Sequence, residues 1–250
     1  LIGLSFGFIT APKNIQDAKE IISHDDHGDN HSDNSINIEN KININSLSIK
    51  YDSNKQEGEH SISHDEHVFH QLSNKPWAAL YVAAFFFFMI SLGTLAFYAI
   101  NRAAQVGWSP ILFRVMEGIT AYMLPGGLIV IFILFLSGLH LNHLFIWMDP
   151  EVVAHDKIIA AKKGYLNVPF VLARGLFFLA GWSLYRYFSR KFSLAQDIAK
   201  DNRYHKKNFR ISAGFLVFYI VTESIMSWDW IMSIDPHWFS TLFGWYVFAS

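Results

Sequence analysis

KPWAALYVAAFFFFMISLGTLAFYAI, residues 75–100, is the stretch that decides the fold. Over 77–100 no side chain carries a charge, and Phe85, Phe86, Phe87 and Phe88 follow one another. A helix of that length rises about 36 Å, enough to cross a hydrocarbon layer of about 30 Å. Three further runs share its character: 124–147, 168–188 and 211–231. Together they predict an all-α fold, a polytopic transmembrane helix bundle occupying 76–250.

Composition fits that class and removes others. Hydrophobic residues make up 52% of the chain and aromatics 16%, while mean hydropathy is held to +0.21 by one long polar insertion. A net charge of −1 offers no field for nucleic acid. Cysteine is absent, so this polypeptide carries no disulfide, thiolate-bound zinc, iron–sulfur cluster or c-type haem attachment. Apolar runs at 1–9 and 241–249 are each too short to span. They are expected to be the end of one helix (1–10) and the start of another, in a fragment of a longer chain. A trimmed signal-peptide core is the other reading of 1–9.

Basic residues in the connections set an orientation. Between 188 and 211 lie Arg190, Lys191, Lys200, Arg203, Lys206, Lys207 and Arg210, against Asp197 and Asp201. That loop is expected on the cytoplasmic side, which puts 148–167 and 11–75 outside and 101–121 inside. Trp77, Trp147, Trp228, Trp230 and Trp238 would then gather near the outer interface, where indoles are enriched.

Segment 11–75 is a different material. ISHDDH at 22–27 returns as ISHDEH at 62–67, and between them NSINIENKININSLSIKYD (34–52) alternates isoleucine with polar residues. Period two predicts a small β-ribbon turning near Asn40 and Lys41. On a helix, His60, His64 and His67 would share a face, a candidate site for Zn²⁺ or Cu²⁺. The competing reading is a solvated insertion that docks on a partner.

In 101–123, Ser109 and Pro110 read as a helix start. Ile111, Leu112, Val115, Met116 and Ile119 then predict an interfacial amphipathic helix, with Pro125, Gly126 and Gly127 opening the next span. A re-entrant half-helix is the alternative.

The spans carry few polar groups: His140, His143, Arg174, Glu223 and Asp229. Counted from the predicted outer ends, His140, His143, Arg174 and Glu223 fall in one layer, about 6–12 Å deep. Asp229 lies at the mouth, with Asp235 and His237 just outside it. Charge within a span is costly, about 2.5–3.5 kcal/mol on insertion scales, so such residues pair or line a water path. One reading makes this ladder a proton route or a quinol-headgroup site. The other makes Arg174 and Glu223 a structural ion pair. Haem b needs histidines on facing helices, and both intramembrane histidines fall on one predicted span, so a haem held within this chain is not expected.

SWDWIMSIDPHWFSTLFGWY (227–246), echoed by FIWMDP (145–150), resembles the outer Trp- and Asp-Pro-containing segments of the NrfD-like membrane subunits of bacterial alternative complex III. The histidine-rich insertion followed by KPWAALYVAAFFFF is similar to the ActF type, quinone-binding subunit 2 of quinol:cytochrome c oxidoreductase. The resemblance implies a helix bundle in the bacterial inner membrane with 11–75 in the periplasm. It also implies a cofactor-free subunit of a complex that oxidises menaquinol. The haem c and iron–sulfur groups would sit on partner subunits, beside an ActC-like sister subunit and a terminal oxidase, all amid membrane lipids. For this subunit it implies scaffolding and proton conduction, or contact with quinol. An independent transporter and a purely structural anchor are the competing functions.

Overall fold

The structure is a computed structural model of the 250-residue chain. It describes the backbone of 53–249 and the side chains of 72–249 except Glu151; before residue 53 it describes only positions 8, 11, 12, 14, 16 and 17. The predicted ribbon over 34–52, the first histidine repeat and the run at 1–10 apart from position 8 lie outside the described residues. Every regular element among the described residues is helical.

The chain divides into two units, 1–76 and 77–250. In the first, the described stretch is the beginning of α1 (Ser53–Ala103), which carries Pro76 within it. His60, His64 and His67 fall on this helix, at the spacing that shares a face. Their side chains lie outside the described residues.

The second unit contains the rest of α1 and then α2 (Phe113–Ile119), α3 (Met123–Gly138), α4 (Pro150–His155), α5 (Lys157–Lys162), α6 (Val168–Ile198), α7 (Arg203–Trp230) and α8 (Phe243–Ala249). Four stretches are long and apolar enough to cross a membrane: Leu72–Ala103, Phe113–Gly138, Val168–Ile198 and Arg203–Ile234. The chain is in that respect compatible with a multi-pass membrane protein.

Three of these spans differ from expectation. The second does not run to Trp147; it lies about ten residues earlier and absorbs the predicted interfacial helix. Pro125 sits inside it rather than at its start. A proline has no N–H for the carbonyl of Ala121, and the backbone answers with a 3₁₀ turn over Thr120–Tyr122 between α2 and α3. The outward stripe explains the misreading. Ile111, Val115 and Ile119 are exposed, while Phe113, Met116, Glu117 and Thr120 are buried. The exposed stripe is isoleucine and valine, as lipid contact requires, while Glu117 and Thr120 point inward. The basic loop at 189–210 is likewise mostly helix: α6 and α7 extend through it, leaving a connection of only 199–202.

At its far end α3 stops at a helix-ending hydrogen-bond pattern rather than at Trp147. The His140 N–H reaches Ser137 O at 3.0 Å and the Leu141 N–H reaches Leu136 O at 3.1 Å, with His140 itself at φ 58°. This six-to-one closure on a left-handed residue terminates helices, usually with glycine in that place.

Helices α6 and α7 form an antiparallel pair, α3 packs on α6, and α8 on α7. The centre is aromatic: Phe88 lies 6.1 Å from Trp182 and 5.6 Å from Trp230, and both tryptophans are fully buried. Trp230 therefore packs in the interior, as does Trp147 at 4% exposure, so neither ring faces outward. Gly127 lets α3 approach closely, since a Cβ there would stand 2.5 Å from Leu179 and 3.1 Å from Phe88. In lipid, such close packing replaces the hydrophobic effect as the force between helices. The outer faces carry Phe86, Phe132, Phe177, Leu184 and Val217, all exposed.

Candidate functional site

Arg174 on α6 and Asp229 on α7 meet where the two helices approach the 139–167 connection. Nε donates to Oδ2 at 2.8 Å and Nη2 to Oδ1 at 2.7 Å, a bidentate pair. Arg174 is 12% exposed and Asp229 is 0% exposed. The guanidinium is covered by the rings of Tyr165 at 4.0 Å and Phe170 at 4.4 Å. Tyr165 lies ahead of the span; burial and then the neighbouring Asp229 carboxylate push its hydroxyl pKa up.

This geometry corrects the expected pairing of Arg174 with Glu223. The Nε and Nη2 edge of Arg174 is taken by Asp229, six residues further along α7, and its buried Nη1 has no hydrogen-bond partner among the described residues. Glu223 is 0% exposed, and neither of its carboxylate oxygens has a hydrogen-bond partner among the described residues. It lies one turn from Tyr219, also buried, on the face of α7 that carries Thr222, Met226 and Trp230.

From Glu223 a seam of polar contacts follows α6 and α7 toward their other ends. Trp182 donates to Thr222 at 3.0 Å, Tyr185 and Ser212 share a hydrogen bond of 2.8 Å, and Ser189 donates to Asn208 at 2.7 Å. There α1 and α2 join in. Asn208 and Ser189 both reach the Tyr98 hydroxyl, as does Arg102 Nε at 3.1 Å, and Arg102 Nη2 donates to Ser193 at 3.0 Å. Tyr98 donates in turn to Glu117, which accepts from Arg114 at 2.8 Å. Arg114 also bonds Asp197. Arg186 donates to Thr120 at 3.0 Å. Buried charge here is hydrogen-bonded throughout, the condition under which it is tolerated.

The sequence reading missed this second cluster. Arg102 and Arg114 fell within the predicted inner connection at 101–121, and Asn208 within a predicted loop. The available signal was spacing: Tyr98 and Arg102 are one turn apart, as are Ser189 and Ser193, so each pair shares a face once the helices are extended far enough.

The remaining candidates separate. His140 and His143 do not share a helix face, because α3 has ended before them; His140 is an exposed helix-terminating residue and His143 a half-buried residue of the connection. Asp235 and His237 follow directly on the candidate span that ends at Ile234, and there they meet α5. His237 Nε2 contacts Asp156 Oδ2, His237 Nδ1 lies 3.7 Å from Asp235, and Lys162 donates to the Pro236 carbonyl. Asp156 caps α5 by accepting the Ile158 N–H at 2.8 Å. That bond first, and then the one to His237, holds its carboxyl below the usual carboxylate range. Among the described residues no three His, Cys, Asp or Glu side chains are placed to share a metal ion.

Comparison of the chain with protein-family models finds no match, and comparison with curated proteins finds none either.

Proposed function

We propose that this chain is a cofactor-free, NrfD-like membrane subunit of a quinol-oxidising respiratory complex of the alternative complex III kind, ActF type, and that it moves protons through the bundle by way of Glu223. The observation that carries the proton role is Glu223 itself. It is wholly buried within a candidate span, and Arg174, the partner expected from sequence, is paired with Asp229 instead. A carboxyl kept there without a partner costs stability and earns its place by exchanging a proton or a cation. Polar side chains run from it along α7 in both directions: Asp229 to one side, and Tyr219, Ser212 and Asn208 to the other.

The complex assignment rests on 145–150, 227–246 and the histidine-rich insertion. On this reading the protein lies in the bacterial inner membrane with 11–75 in the periplasm. Menaquinol oxidation, haem c and iron–sulfur chemistry belong to partner subunits, including an ActC-like sister and a terminal oxidase. The test is blue-native electrophoresis of mildly solubilised membranes with haem staining. The chain is expected to migrate with c-type haem. Migration alone, without haem, contradicts the complex and favours an independent transporter.

A further inference from the structure

The connection between α3 and α6 encloses a cleft of about 610 Å³ over residues 147–169. That volume falls within the range of about 300–1,000 Å³ typical of small-molecule sites. Its deep wall is apolar and buried: Trp147, Ile159 and Leu166. Its polar lining residues, Lys163 and Asn167, are exposed and therefore stand at the rim. Lys163 is the only charged residue among the described ones that line it. The Trp147 indole is 4% exposed, and its N–H has no hydrogen-bond partner among the described residues. The cleft also includes Val168, the first residue of a candidate span, which puts it at the level of that span's end.

An apolar slot with a cation at its lip, at that level, matches one kind of molecule. We propose that the 147–169 cleft binds an anionic phospholipid, with an acyl chain against Trp147, Ile159 and Leu166 and the phosphate on Lys163. Neighbouring Lys162 does not compete for the headgroup, because its amine is held by the Pro236 carbonyl. The lipid would brace the short helices α4 and α5 against the start of α6. This site is independent of the proton role of Glu223.

The test uses the full chain in nanodiscs containing equal phosphatidylglycerol and phosphatidylcholine. After transfer to detergent, the lipid that stays bound is quantified by mass spectrometry. Phosphatidylglycerol is expected to be retained over phosphatidylcholine. Lys163→Gln should lower its retention about fivefold, the usual effect of one basic residue at a membrane surface, and Lys163→Arg should preserve it. Ala154→Phe, which fills the cleft from an exposed lining position, should remove both lipids while leaving the thermal midpoint of the delipidated protein unchanged. Equal retention of the two lipids, indifference to Lys163→Gln or Ala154→Phe, or displacement of the lipid by millimolar inorganic phosphate would each overturn the proposal.

Discussion

Arg174 can satisfy one carboxylate bidentately, and Asp229 occupies that place. The energetic consequence is sharp, since removing one member of a buried pair costs about 3–5 kcal/mol by stranding the other. Arg174→Gln should therefore destabilise the wild type strongly and an Asp229→Asn background much less. In a Glu223→Gln background its cost should be undiminished. Thermal midpoints of the purified variants supply this double-mutant cycle; coupling of Arg174 to Glu223 instead would restore the pairing expected from sequence. His140 offers a second check. A non-glycine residue in the left-handed region is strained by about 1 kcal/mol, so His140→Gly should leave stability unchanged or raise it by that amount. It should also leave any proton-linked activity intact, because the residue ends a helix and does not lie within one. Loss of activity in a stable His140→Gly protein would return the imidazole to the functional path.

At the scale of elements, what could be read from sequence was apolar length and little else about the ends. All four spans were legible because a run such as 77–100 admits no other solution. The termini were not, for reasons that differ by helix. In α2 and α3, inward Glu117 and Thr120 hide among outward isoleucines, so a lipid-facing stripe was read as a surface helix. In α6 and α7, the basic residues beyond Phe188 and before Ile211 suggested a loop, yet lysine and arginine continue a helix well once it leaves the hydrocarbon. These two shifts also hid the cluster of Tyr98, Arg102, Glu117, Ser189, Ser193 and Asn208, whose members come together only when both helices are extended. At the other end, Leu139 and His140 close α3 through backbone hydrogen bonds that no side-chain pattern announces. The candidate site was thus legible in its residues Arg174, Glu223 and Asp229, but not in who pairs with whom, because two carboxylates six residues apart on one helix are equally plausible partners until the helix crossing is known.

For the whole molecule, four candidate spans alternating across a membrane would put the 199–202 connection on one side and the 139–167 connection on the other. Reporter fusions at Lys200 and at Gly164 should read opposite compartments, with Lys200 cytoplasmic under the basic-residue bias; the same compartment for both would remove a span from the bundle. Given that topology, the buried Glu223 stands between the Arg174 and Asp229 pair at one end and the Tyr98, Arg102 and Glu117 cluster at the other, and the proposal is that protons cross by way of it. The direct measurement is the number of protons released per quinol oxidised in sealed membrane vesicles, compared between the native complex and one carrying Glu223→Gln. Glutamine keeps the volume and cannot titrate. The account predicts a complex that assembles and oxidises quinol, with fewer protons released per quinol than the native one. An assembled complex with an unchanged proton yield would contradict it.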